Sequence, residues 1–145
     1  IRPNIRRLIV DRRSVNPAYY DRMSNILKDL IQQANDEALS YQEYLQELIK
    51  LAKMVLEPHS GTSRPSSINT KAQAAIFDNV EGNEALTLAL DGAIRSVKQD
   101  GWKTNRFKKK QVLREIKKII GQELGNVDEV LANTILDIAG EQDDY

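Results

Sequence analysis

Apolar residues in this chain return every three or four positions, and no stretch sustains an apolar/polar alternation of period two. That spacing paints one face of an α-helix and leaves a half-buried strand without a pattern, so it confines the chain to helix-on-helix packing. Start signals agree. Asn16-Pro17 reads as an N-cap followed by proline at the first helical position, where a missing N–H costs nothing. Behind it, Tyr20, Met23, Leu27, Leu30 and Ala34 predict a helix of about six turns. Ser40-Tyr41-Gln42-Glu43 is a capping-box pattern opening a second helix, with Tyr44, Leu45, Leu48, Leu51, Ala52 and Val55 on its apolar face. The short connection predicts an antiparallel helical hairpin, whose core Tyr19, Tyr20, Tyr41 and Tyr44 are expected to close.

Residues 57–69, EPHSGTSRPSSIN, read as the one long irregular connection. Shorter helices are predicted after it. One runs from about Thr70 to Asn79 and one is capped by Asn83 and buries Leu86, Leu90, Ala93, Ile94 and Val97. A basic one spans about Asn105 to Glu123, and the last carries Val130, Leu131, Ile135 and Ile138. The expectation is an all-α bundle of about six to seven helices, with a long N-terminal antiparallel hairpin packed on several shorter helices. The 145 residues suffice for a single helical domain. Its sub-units would be a hairpin over 1–57, a loop over 58–69 and a compact multi-helix part over 70–145.

Much chemistry is missing from the chain. It has no cysteine, which removes disulfides, thiolate nucleophiles and Cys-based metal sites and agrees with a cytoplasmic location. No apolar run approaches the ~20 residues that span a bilayer, so no membrane partner is expected. Ile1-Arg2-Pro3-Asn4 opens no signal peptide, and a start at Ile rather than Met leads us to expect a piece of a longer chain. His59 is the single histidine, has no neighbouring donors, and reads as a surface residue. There is no G-x-x-x-x-G-K-[ST] loop to cradle nucleotide phosphates. Glu115-Ile116-Lys117 matches the E-x-K piece of metal-dependent nucleases, but inside an amphipathic helix its carboxylate has no converging partner. Asp36-Glu37 and Asp128-Glu129 read as helix-surface or first-turn charges rather than catalytic dyads. No catalytic, cofactor or metal residue is expected in these 145 residues.

Charge is the distinctive property. The formal net charge is zero, yet Lys103, Arg106, Lys108, Lys109, Lys110, Arg114, Lys117 and Lys118 crowd sixteen residues with only Glu115 against them. A second basic segment, residues 1–13, carries Arg2, Arg6, Arg7, Arg12 and Arg13 against Asp11. The balancing acid includes the terminal Glu141-Gln142-Asp143-Asp144. The sixteen-residue run has two readings. It is the wet side of an amphipathic helix, with Val112, Leu113, Ile116, Ile119 and Ile120 opposite, or it is a contact surface for phosphate or an acidic protein face. Cations at its start oppose the helix dipole, which points to a further use. Trp102, after Gly101, either plugs a junction between helices or stacks on a base.

Several stretches together resemble one family. NPAYYDRMS, EALSYQEYLQELIKLAK, SINT with the following AIFDN, and AIRSVKQDGWKTNRFKKKQVLREIK are similar to the C-terminal helical region of the restriction (R) subunit of type I restriction–modification enzymes. The resemblance runs from about Asn16 to Tyr145. It is most specific at residues 37–45 and at Asp100-Gly101-Trp102 with Asn105, Phe107 and Lys108. Departures include Ile76-Phe77 where the pattern often has Leu-Tyr, Thr104 in place of a glycine, and Gln32 to Asn35 in place of a more basic stretch. The resemblance implies a parent that is an ATP-dependent, Mg²⁺-using DNA translocase and endonuclease. This region would be its non-catalytic helical part, assembling with the methylation (M) and specificity (S) subunits, with DNA in the full complex. A helical nucleic-acid-binding module using residues 103–118 is the alternative expectation.

Overall fold

The structure, a computed structural model, describes residues 2–58 and 64–145; His59 and Gly61 of the expected loop lie outside the described residues. Among the described residues there are seven α-helices and no strand, so the chain is an all-α helical bundle. The helices fall into two compact units, the first ending and the second beginning near residue 64.

The first unit holds α1 (Arg2–Arg12), α2 (Pro17–Asn35) and α3 (Tyr41–Leu56). Asn16 caps α2 with its side chain accepting from the Tyr19 N–H at 3.3 Å, and Pro17 opens the helix. Both arms of the Ser40/Glu43 capping box are formed, at 3.1 and 3.0 Å. Between α2 and α3 the chain turns at Glu37, which takes the left-handed φ of 59°. The Ala38 N–H bonds the Gln33 carbonyl and the Glu37 N–H bonds the Ala34 carbonyl, a Schellman closure in which glycine is the usual residue.

Residues 2–57 hold a third helix, α1, beyond the two expected there. Ile5 and Ile9 lie one turn apart and bury against Tyr19, Tyr20, Met23, Leu27, Leu30, Leu48, Leu51 and Val55. Five arginines around that short apolar stripe hide its period. Two of those arginines also have structural roles. Arg12 Nη1 donates to the Val55 carbonyl at 3.1 Å, a cation placed at the C-terminal end of α3. Arg13 holds Asp21 with two hydrogen bonds, at 2.7 and 3.1 Å. The tyrosine expectation divides. Tyr19 and Tyr20 are buried and donate to the Met54 and Val55 carbonyls at 2.7 and 3.3 Å, while Tyr41 is 75% exposed and closes nothing.

The second unit holds α4 (Lys71–Asn79), α5 (Glu84–Val97), α6 (Arg106–Leu124) and α7 (Glu129–Gly140). Thr70 with Gln73, Asn83, Asn105 and Asp128 cap their N-termini. Gly125 ends α6 with φ 83°, a conformation that costs a side chain roughly 1–2 kcal/mol. Ile76, Leu86, Leu90, Ile94, Val112, Ile116, Ile120, Ile135 and Ile138 form the centre of the core. Trp102 is buried there too, its Nε1 donating to the Tyr145 carbonyl at 3.4 Å, so it plugs the unit. The segment before α4 is more than a connection. Ile68 is buried, and Arg64 makes a two-armed ion pair with Asp78 in which both side chains are almost fully enclosed.

The acidic tail is docked. Asp144 accepts the Ala72 N–H at 3.0 Å in the first turn of α4, where a carboxylate is favoured. Buried Gln142 donates to the Ile138 carbonyl. The Tyr145 hydroxyl donates to Asp91 on α5, which also accepts from Gln73 and Arg95 at 2.9 and 3.0 Å. Burial and the hydrogen bond to Asp91 push the Tyr145 phenol far above its ordinary pKa.

Candidate contact surface on the basic helix

The basic run lies mainly on α6. Asn105 starts the helix, its side-chain oxygen accepting from the Phe107 and Lys108 N–H groups at 3.0 and 3.1 Å. Val112, Ile116 and Ile120, spaced by four, are fully buried, so the inward face matches the amphipathic reading.

The eight cations do not act as one group. Lys103 lies before the helix and donates to the Gln142 carbonyl. Lys108 reaches back to the Asp100 carbonyl at 2.7 Å. Those two are tied to the chain's own backbone, which answers part of the electrostatic puzzle at the helix start. Lys109 is half-buried on the flank. Lys117 faces Glu129 at 3.7 Å and Lys118 faces Glu115 at 3.9 Å, both loose pairs near water that contribute little. Arg106, Lys110 and Arg114 are exposed and have no ion pair or hydrogen-bonding side-chain partner among the described residues.

The other candidate chemistry resolves into structure. Glu115 pairs with Lys118 and Ile116 is in the core, so the E-x-K triplet is part of the helix. Asp36 accepts from Gln32, Glu37 makes the turn, Asp128 caps α7 through the Leu131 N–H, and Glu129 meets Lys117. Among the described residues no group of three His, Asp or Glu side chains is placed to hold a metal ion, and no helix is long and apolar enough to cross a membrane.

Residues outside the basic set share its surface. Phe107, Lys110, Arg114, Lys117, Gly121 and Leu124 follow one another at three- and four-residue steps along one stripe of α6. Phe107 is 76% exposed at its start and Leu124 is 42% exposed at its end. Beyond Leu124, Val127 and Val130 are 49% and 79% exposed. Val127 lies against the stripe: a Cβ on Gly121 would come within 3.2 Å of its Cγ2. Sequence reasoning noted the charge and passed over these apolar ends, although the period that joins them to the cations was legible.

No protein-family model, curated protein or solved structure matches this chain.

Proposed function

We propose that this chain is the C-terminal helical region of the restriction subunit of a type I restriction–modification enzyme. It acts there in the cytoplasm as a non-catalytic docking module for the methylation and specificity subunits. One observation carries the reading. The resembling segment Asp100–Lys108 contains Gly101, Trp102, Asn105 and Lys108, each with a folding role in a turn, the core, a cap or a backbone contact, and also Phe107, which has none. An exposed phenylalanine beside unpaired cations supports contact with another molecule. ATP hydrolysis and Mg²⁺-dependent cleavage then belong to other domains of the parent.

Sedimentation velocity of the chain mixed with its cognate M–S complex tests the proposal. Co-sedimentation is expected, and two independent boundaries at micromolar concentrations would defeat it. Arg106, Lys110 and Arg114 favour a second reading, duplex DNA contact through phosphates. Binding of that kind weakens steeply as salt rises, by about 0.9 log unit per log unit of salt for each phosphate neutralised.

A further inference from the structure

The α6 stripe has a composition that separates a protein partner from a nucleic acid. Its ends are apolar, Phe107 at one and Leu124 with Val127 and Val130 at the other, while Lys110, Arg114 and Lys117 lie between. From Phe107 to Leu124 is seventeen residues, about 26 Å of helix at 1.5 Å per residue. Phosphate contact would use the cations and leave three aliphatic side chains in water, since protein–DNA interfaces are polar and strongly positive. A protein face would use both, with apolar contacts excluding water and a carboxylate meeting each unpaired cation. Folding does not explain the ends either. Val130 is β-branched and 79% exposed in the first turn of α7, where it serves neither helix propensity nor core packing.

We infer that the stripe Phe107–Leu124, continued by Val127 and Val130, is the docking surface of the chain for a protein face with acidic residues between two apolar contacts. This inference rests on the docking reading above and places the methyltransferase subunit on α6 and the start of α7. Lys103 and Lys108 take no part, because their amines are held by backbone carbonyls.

The test compares the unmodified chain with Leu124→Ser/Val130→Ser, Lys110→Glu/Arg114→Glu and a control in the first unit, the exposed Lys28→Glu. Each is titrated with the M–S complex and, separately, with a short duplex DNA. All targeted side chains are exposed, so far-UV circular dichroism and melting should be unchanged in every variant. The apolar and the charge-reversal pairs are each expected to weaken M–S binding by at least about tenfold, the range of hot-spot residues, with Lys28→Glu neutral. Full M–S binding by Leu124→Ser/Val130→Ser would overturn the surface while leaving the docking reading intact. Failure of the unmodified chain to bind M–S would remove the reading and the surface together. Duplex binding lost on charge reversal but indifferent to the apolar pair, with M–S binding unmoved by both, would assign the stripe to phosphate and overturn the inference.

Discussion

The Tyr145 hydroxyl donates a 2.5 Å hydrogen bond to Asp91 Oδ1 across 54 residues of sequence. Arg95 binds the same carboxylate and lies over the Tyr145 ring, 5.2 Å from its centroid. Gln73 completes the group and also accepts from the Asn69 and Thr70 N–H groups, so α4, α5 and the tail are joined through one buried carboxylate. Such a network is stabilising when every member is satisfied and costly when one is removed.

The phenol gives this network a pH dependence. Its folded pKa is raised above the ordinary 10.0, first by burial and then by Asp91. The folded chain therefore keeps a proton that the unfolded chain releases. The stability is complete below about pH 10 and is lost as pH rises further. Tyr145→Phe should lose about 1 kcal/mol at neutral pH yet respond less to pH above 10, as read from urea midpoints in the two conditions.

Breaking the enclosed Arg64–Asp78 pair should be among the costliest single changes. Both side chains have under a tenth of their surface exposed. Asp78→Ala removes the enclosed carboxylate that accepts from the Arg64 guanidinium and should cost about 3–5 kcal/mol in chemical denaturation. Arg64→Met with Asp78→Leu should recover most of that loss.

Glu37 holds a backbone conformation made for glycine. Glu37→Gly keeps both Schellman hydrogen bonds and removes the left-handed strain, so it should raise the first unit's stability by about 1 kcal/mol. A lower melting temperature would show that the glutamate side chain contributes something its geometry does not reveal.

Two hydroxyl deletions should differ. Tyr19 donates to the Met54 carbonyl at 2.7 Å, so Tyr19→Phe should cost about 1 kcal/mol. The Tyr44 hydroxyl is buried with no hydrogen-bond partner among the described residues, and Tyr44→Phe should be neutral or slightly stabilising in the same denaturation experiment.

What could be read in the sequence depended on the range of the interaction. Asn16, Ser40, Thr70, Asn83, Asn105 and Asp128 mark helix starts because a cap acts within three residues of itself. The inward face of α6 was legible for the same reason. Helix α1 was not, since Ile5 and Ile9 supply only one turn of pattern among arginines. The docking of Asp144 on α4 and of Tyr145 on Asp91 depends on contacts over 72 and 54 residues, for which local spacing has no signature. The candidate surface was half visible. Its charge is obvious in the sequence, whereas Val130 shares the spacing of the last helix's apolar residues and only its 79% exposure sets it apart from them.

The burial of Trp102 gives the molecule a built-in optical division. The chain's only indole is enclosed in the second unit, whereas four of the five tyrosines, at 19, 20, 41 and 44, belong to the first. Indole fluorescence excited at the red edge of its absorption would therefore follow the melting of α4 to α7 alone, while phenol emission would come chiefly from α1 to α3. A single unlabelled sample could then reveal whether the two halves lose their structure together or in turn.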